Sequence, residues 1–181
     1  MVSRRFTSDG SVATLLAGTV VVVFVLLAAS RSMAAGGLEG QRAQTFTMVD
    51  MAEQPQSLEN LLKEGPVLLD FWSIYCVACI QELPSVIELY EKYRGDGLRV
   101  LGINLDSFGA RRVKRFIAGM EFTIPFPVII DKKREIAMGY KISVLPTTVL
   151  IGKRGKIEMY HLGYIPGDEE LLETKIKEAL K

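Results

Sequence analysis

The longest apolar segment of the chain lies near its N-terminus. Residues 12–29 carry no charge, two arginines precede them and Arg31 follows them. As a helix, these 18 residues would reach about 27 Å, close to the ~30 Å hydrocarbon core of a bilayer. We therefore predict a transmembrane signal anchor over residues 12–30 after a short cytoplasmic N-terminus, 1–11, because cytoplasmic flanks of membrane spans are rich in arginine.

Two other interpretations of this segment stay open. Ser-Met-Ala at 32–34 would suit a small-residue cleavage site, so the segment could be a signal peptide that is removed after export. It could also be a buried helix of a soluble protein. Both the signal anchor and the signal peptide place everything after Arg31 in the periplasm or at the cell exterior. The domain would then be held at the cell membrane by a single pass, or released to the periplasm after cleavage.

The rest of the chain alternates between strand-like and helix-like patterns. Residues 31–44 mix small and polar residues without a period and predict a flexible linker. Residues 45–181 predict one domain with these elements: strand 45–51, helix 57–64, strand 66–72, helix 76–93, strand 98–105, helix 110–120, strand 127–130, helix 134–140, strand 147–152, strand 157–164 and helix 168–180. This order indicates an α/β fold with a central mixed β-sheet flanked by helices.

Charge gives no sign of a nucleic-acid partner. Residues 38–181 contain 19 basic and 20 acidic side chains, so no basic excess favours nucleic acid or an anionic membrane surface. The basic run on helix 110–120 predicts an ordinary solvated face. No internal repeat occurs and no signature of a stable oligomer is present, so we expect a monomer.

The chain has two cysteines, Cys76 and Cys79, and they stand where a predicted strand gives way to a helix. Unpaired N–H groups and the helix dipole would favour a thiolate at Cys76. A stabilising disulfide is one alternative, but so small a loop restricts the unfolded chain little. A structural zinc site needs four ligands, and beyond this pair the chain has a single histidine, His161, for which we expect a structural or surface role. We therefore favour a redox-active pair and predict no metal site.

Three segments together resemble the thioredoxin superfamily. Residues 67–84, VLLDFWSIYCVACIQELP, resemble its active-site strand and helix, and residues 144–157, VLPTTVLIGKRGKI, are similar to its cis-proline loop and hairpin. Residues 101–142 resemble the helix and strand inserted in the membrane-anchored TlpA/ResA branch. The resemblance implies a thioredoxin-like fold with the TlpA/ResA-type insertion, preceded by an N-terminal transmembrane helix, and thiol:disulfide oxidoreductase activity.

The resemblance also implies roles for four candidate catalytic residues. Cys76 would attack a substrate disulfide, and Cys79 would be the resolving thiol that releases the product. Asp70 matches the buried aspartate of cytoplasmic thioredoxins, although asparagine is commoner in this branch. A carboxyl in so apolar a strand is expected to have a raised pKa and to take the Cys79 proton. Glu82 matches an acidic residue of ResA-type proteins. A structurally hydrogen-bonded Asp70 and an ordinary solvated Glu82 are the alternatives.

Four residues are expected to contact substrate: Trp72, Tyr75, Leu145 and Pro146. Pro146 matches the family's cis-proline, and a cis bond would leave the Leu145 backbone free to pair with an extended substrate segment. Tyr75 stands where the family commonly has a second tryptophan. We expect it to be a surface residue at the rim of the site, near Cys76. The resemblance implies no cofactor besides the redox-active disulfide.

We expect an extracytoplasmic reductant of protein disulfides. A membrane electron donor of the DsbD/CcdA type would keep it reduced, and proteins such as apocytochromes c would be its substrates. A disulfide-forming oxidant is the alternative within the same class. Peroxiredoxin chemistry wants a proline seven residues before its cysteine, where this chain has Leu69. A non-enzymatic Sco-like copper carrier pairs wider-spaced cysteines with a distal histidine, so the C-V-A-C spacing argues against it.

Overall fold

Two short strands precede the main sheet in the structure, a computed structural model that describes residues 37–181. β1 (Thr47–Val49) and β2 (Pro55–Ser57) form a separate antiparallel ribbon. The elements that follow are α1 (Leu58–Glu64), β3 (Val67–Trp72), α2 (Val77–Tyr93), a 3-10 turn (Arg94–Asp96), β4 (Arg99–Asn104), α3 (Ala110–Ala118), β5 (Val128–Ile130), α4 (Glu135–Gly139), β6 (Thr147–Ile151), β7 (Ile157–Leu162) and α5 (Asp168–Ala179).

β3 is the central strand of a five-stranded sheet with the order β5-β4-β3-β6-β7. β3, β4 and β5 run parallel, β6 is antiparallel to β3, and β7 is antiparallel to β6. All six residues of β3 are buried, because helices cover both faces of the sheet. The predicted mixed sheet with flanking helices is therefore confirmed, and α3 and β5 form within the segment that resembles the TlpA/ResA insertion.

The core has two layers, one on each face of the sheet. Leu69 and Phe71 of β3 pack in the layer beneath α1 and α4, whereas Leu68 and Trp72 pack in the layer beneath α2, α3 and α5. Successive residues of a strand point to opposite faces. Asp70 therefore points to the same face as Leu68 and Trp72, toward the helix that carries the cysteines.

The predicted linker 31–44 ends earlier than expected, because its last residues pack on the domain. Leu38 and Ala43 are buried. The N–H groups of Gly40 and Ala43 donate to carbonyls of the β6–β7 hairpin at 2.8 and 2.9 Å. Backbone hydrogen bonds leave no pattern of apolar side chains in the sequence, so the sequence did not predict these contacts. The described domain begins at Gly37 rather than at residue 45.

The predicted elements of the domain all occur, each within two residues of its expected bounds. β2 was not predicted, because Pro55–Ser57 shows no apolar alternation. The cytoplasmic N-terminus and the signal anchor were predicted within residues 1–30, which lie outside the described residues. None of the helices between residues 37 and 181 has the length and apolar character required to span a bilayer.

Candidate active site

Cys76 and Cys79 form a disulfide at the start of α2, with their Cα atoms 5.2 Å apart. Cys76 is the N-cap residue: its backbone is extended and its Sγ accepts a hydrogen bond from the Cys79 N–H at 3.1 Å. Donors at a helix N-terminus stabilise negative charge on sulfur. Cys76 is half-buried, whereas Cys79 is 1% exposed. The arrangement suits the roles predicted for the two thiols, because an incoming disulfide can reach Cys76 first.

Asp106 holds the loop that leads into Cys76, and the sequence did not predict this. Its Oδ1 accepts a hydrogen bond from Ser73 Oγ at 2.7 Å, and its Oδ2 accepts the Ile74 N–H at 2.9 Å. Asn104 Nδ2 also donates to Oδ2, at 2.8 Å. Asn104 pairs with Trp72 in the ladder between β4 and β3, so the parallel strands carry Asp106 to the active-site loop. Asn104 and Asp106 are polar residues at the carboxyl end of a buried parallel strand, where functional sites commonly lie, and this could have identified them.

Two carboxyl groups lie buried on the core side of α2. Asp70 is 1% exposed, and Glu82, about one helical turn after Cys79, is 4% exposed. Glu82 Oε1 accepts a hydrogen bond from Thr148 Oγ1 at 2.9 Å. Glu82 Oε2 and both oxygens of Asp70 have no hydrogen-bond partner among the described residues. Neither alternative fits the structure, because Glu82 is buried and no hydrogen bond from residues 37–181 satisfies the Asp70 carboxyl.

Burial changes the acidity of both carboxyl groups. Loss of hydration raises the pKa of Asp70 well above its ordinary value, and the neighbouring Glu82 carboxylate adds to the rise. Burial also raises the pKa of Glu82, to about 7, against the opposing effect of the Thr148 hydrogen bond. The charges of His161 and Asp168 act on Glu82 in opposite directions. Near neutral pH this pair can hold and exchange a proton, as a proton acceptor for a buried thiol must.

A row of polar side chains crosses the sheet beneath α2. Asp70 of β3 pairs in register with Thr148 of β6, and Thr148 pairs with His161 of β7. Residues paired in this way point to the same face. His161 Nε2 lies 3.0 Å from Asp168 Oδ2 on α5. The sequence did not identify Thr148 and His161 as neighbours of the site, because strand register cannot be read from the sequence.

The outer end of this row lies close to solvent. Glu82, Thr148 and His161 line a small cavity of about 10 Å³. This is close to the smallest volume that holds one water molecule. The side chains of His161 and Asp168 are 25% and 23% exposed. Glu82 therefore lies beside a small cavity that the partly exposed His161 and Asp168 also line.

Tyr75 forms a rim beside Cys76 and is 57% exposed. Its ring lies edge-on to that of Phe108, with centroids 6.1 Å apart. The Arg112 guanidinium lies 5.3 Å from the Tyr75 ring and 4.9 Å from the Phe108 ring. Arg112 is exposed, as expected for a solvated helix face, and it also contacts two aromatic rings through cation–π attraction. The rim offers a docking segment apolar surface and one cation.

Trp72 does not reach the surface, so its predicted contact with substrate is wrong. The side chain is 0% exposed. It packs against Gly102, where an added Cβ would lie 3.3 Å from Trp72 Nε1. Trp72 shares a strand face with Asp70, and that face is covered by α2. Trp72 is therefore a core residue beneath the site.

The Leu145–Pro146 peptide bond is cis, as the resemblance implied. The Pro146 carbonyl accepts the Gly163 N–H at 2.8 Å, which joins this loop to the end of β7. The backbone N–H and C=O of Leu145 form no hydrogen bond with another of the described residues. Pairing of this free backbone with an extended segment of substrate stays a prediction.

The described residues offer little for a metal ion. Between residues 37 and 181, no three side chains of the metal-binding types His, Cys, Asp and Glu converge on one position. His161 contacts Asp168 on α5, on the side of the sheet row away from Asp70. The copper-carrier alternative gains no support from this arrangement.

Known proteins share both the sequence and the architecture of this site. The family model described as the AhpC/TSA family matches residues 39–160. A thiol-disulfide oxidoreductase ResA of Halalkalibacterium halodurans is 32% identical over 153 residues, which cover 84% of this chain and 81% of that protein.

Solved structures agree with the sequence comparison. A protein from Chlorobium tepidum described as a thiol:disulfide interchange protein DsbE superposes with a TM-score of 0.73 at 30% identity, over 79% of this chain and 98% of that one. StoA from Bacillus subtilis superposes with a TM-score of 0.62 at 28% identity, over 73% of this chain and 96% of that one. These likenesses confirm the thioredoxin-like fold. The chain therefore belongs to the AhpC/TSA family and is, within it, a thiol-disulfide oxidoreductase related to ResA.

Proposed function

We propose that this oxidoreductase reduces disulfide bonds of other proteins outside the cytoplasm, at the membrane that anchors its N-terminal segment. The observation that carries the proposal is the buried pair of carboxyl groups, Asp70 and Glu82, beneath the cysteines. A strong disulfide oxidant is strong because its reduced form is stabilised. Buried carboxyl groups give no such stabilisation to a thiolate beside them, so the reduced form readily gives up its electrons.

The reduction can be followed atom by atom. The Cys76 thiolate attacks one sulfur of the substrate disulfide, which forms a mixed disulfide and releases the other substrate sulfur as a thiolate. Cys79 then gives its proton to a carboxylate of the buried pair and attacks Cys76 Sγ. The second substrate sulfur leaves as a thiolate, so the substrate has gained two electrons and the Cys76–Cys79 disulfide has formed. From Glu82 the proton returns to solvent through the small cavity that this side chain lines.

The location and the partners rest on the sequence of the N-terminal segment. Its uncharged stretch, with arginines on the N-terminal side, supports a single-pass anchor with the domain outside. A domain outside the cytoplasm needs its electrons carried across the membrane, and a donor of the DsbD/CcdA type would do this. Apocytochromes c are one candidate class of substrate in cytochrome c maturation. We expect the protein to act as a monomer.

The reduction potential of the Cys76/Cys79 pair tests the direction of electron flow. The full-length protein would be equilibrated with dithiothreitol or glutathione buffers, and its free thiols would be counted by alkylation and mass spectrometry. A potential near about −270 mV or lower supports a reductant. A potential near about −120 mV would make the protein an oxidant that forms disulfides and would refute the proposal.

Fractionation of cells tests the location. Membranes washed with alkaline carbonate should retain the protein, and protease added to intact spheroplasts should digest its domain. Recovery in the periplasmic fraction would instead support a cleaved signal peptide. Protection from protease in intact spheroplasts would refute an extracytoplasmic domain.

A further inference from the structure

A basic surface, which we name the basic pole, lies around the β6–β7 hairpin. Its members are Arg42, Lys63, Lys153, Arg154 and Lys156. Four of them line an open groove of about 380 Å³ that also contains one carboxylate, Glu59. The remaining member, Lys156, pairs with Arg42 through a β-bridge. Segments distant in the sequence thus bring five cations to one surface.

Two carboxylates lie beside the five cations of the basic pole: Glu59 in the groove and Glu158 against Gly152 of the hairpin. All five side chains are exposed, and none forms an ion pair with another residue between positions 37 and 181. The near-balance of charge over residues 38–181 gave no reason to expect attraction to an anionic membrane. Clustering by the fold changes that expectation, because local potential and not net charge attracts a charged surface.

The basic pole lies at the end of the sheet opposite the disulfide. Val67, at the start of β3, pairs with Ile151, and the turn that carries Lys153 and Arg154 follows directly. The disulfide follows the other end of β3, about 20 Å away over six residues of strand. The chain enters the described domain at Gly37, against the Tyr160 side chain of β7, and then runs to the basic pole, where Gly40 and Ala43 are hydrogen-bonded to the hairpin.

We propose that the basic pole docks on the anionic phospholipid headgroups of the membrane that anchors the chain, so that the disulfide faces away from the bilayer. The inference rests on the membrane anchor of the proposed function. Residues 30–36 separate the apolar segment from Gly37, and seven residues span at most about 25 Å in any conformation. A tether this short keeps the domain close enough for the cations to reach the surface potential of the membrane, which decays over about 8 Å at physiological salt, and attraction between the cations and the headgroups then holds them there. A membrane donor can still reach Cys76, because electrostatic docking is reversible.

Lysine footprinting of the full-length protein tests the docked face. The protein would be reconstituted in vesicles of phosphatidylcholine alone, or of phosphatidylcholine with phosphatidylglycerol. A neutral amine reagent would label the outward-facing chains, and mass spectrometry would give the rate at each lysine. We expect Lys153 and Lys156 to react at least about fivefold more slowly in the anionic vesicles, and high salt should remove the difference. Lys114, exposed on α3, should react equally in both.

Two matched variants separate the basic pole from charge in general. R42Q/R154Q removes two positive charges from the pole and should restore fast labelling of Lys153 in anionic vesicles. R111Q/R115Q removes the same charge from α3 and should leave Lys153 protected. Equal labelling of Lys153 in both vesicle types, or protection of Lys114 instead, would overturn the docking while the anchor stands. Release of the chain from carbonate-washed vesicles would overturn the anchor, and the docking with it.

Discussion

The two faces of β3 have opposite characters. Toward α1 and α4 the strand presents only apolar side chains: Val67, Leu69 and Phe71. Toward α2 it presents Leu68, Asp70 and Trp72. Among the described residues, the buried side-chain polar atoms without a hydrogen-bond partner all belong to this second layer: Asp70, Trp72 and Glu82. Alternation along the strand thus lets one element stabilise the fold on one side and hold the redox chemistry on the other.

The difference shows where the fold accepts an energetic cost. A buried polar group without a partner costs about 1–3 kcal/mol. Both Asp70 oxygens and one Glu82 oxygen lack a partner in the layer on the α2 side of the sheet, and no buried carboxyl oxygen without a partner lies in the opposite layer of the described domain. The energetic cost of these unpaired groups therefore arises beside the cysteines, where a carboxyl group with a raised pKa can accept a proton from a thiol. Variants on each face should therefore change different measurable properties.

The largest expected effect comes from the chemical face. C79S should lower the turnover of disulfide reduction by about a thousandfold or more, because no second thiol remains to resolve the mixed disulfide. The mixed disulfide between Cys76 and substrate should accumulate and be visible by mass spectrometry. C76S should abolish turnover without forming that species. Normal turnover of C79S would refute the resolving role.

On the apolar face, F71A should cost stability and leave the chemistry intact. Phe71 is 0% exposed, and its ring centroid lies 5.7 Å from that of Tyr140. The cavity left by truncation should lower the free energy of unfolding by about 3–5 kcal/mol, as urea denaturation would measure. Y75A, which truncates an exposed aromatic residue, is the control and should have a small effect. A large change of reduction potential in F71A would show that the two faces are not independent.

E82Q should change how stability depends on pH. The folded-state pKa of Glu82, about 7, lies above its ordinary 4.5, so the folded state binds more protons than the unfolded state. The stabilisation is fully present below pH 4.5 and is lost as pH rises to about 7. Glu82 should contribute about 3 kcal/mol to the unfolding free energy that the oxidised wild-type protein loses over this window. E82Q should lose less by about that amount, and the loss that remains belongs to Asp70, whose pKa burial also raises.

Urea denaturation across the same pH window measures this change. The control is E88Q, which alters an exposed glutamate of the same helix and should keep the wild-type pH dependence. If E82Q keeps it as well, the proton uptake belongs to Asp70 and the assignment to Glu82 is wrong.

The smallest expected effect comes from T148V. Loss of the hydroxyl removes a hydrogen bond that lowers the pKa of Glu82, so the pKa should rise further. At pH values above this pKa the change should cost about 1–2 kcal/mol of unfolding free energy, measured by urea denaturation. T148S keeps the donor and should behave like the wild-type protein. Equal loss in both variants would mean that packing, not the hydrogen bond, is the cause.

The parts of the site that depend on local sequence could be predicted, and the parts that depend on register could not. The positions of Cys76 and Cys79 at a helix start follow from a strand, a short turn and a helix pattern. The burial of Asp70 follows from its apolar neighbours on one strand. The neighbours of Asp70 across the sheet, Thr148 and His161, depend on which strands pair and in which register. The buried position of Trp72 likewise depends on the helix that covers its face.

Asp106 has a consequence for how fast the thiol pair can work. Asp106 accepts hydrogen bonds from the Ser73 hydroxyl and the Ile74 N–H, and it stands directly after β4, far in sequence from the cysteines. Opening the disulfide breaks none of these bonds, so we expect the reduced Cys76 to be presented where the oxidised one was. The entropy of ordering that loop is then lost once, during folding, and not again at each turnover. The sheet, and not the disulfide, preorganises the nucleophile.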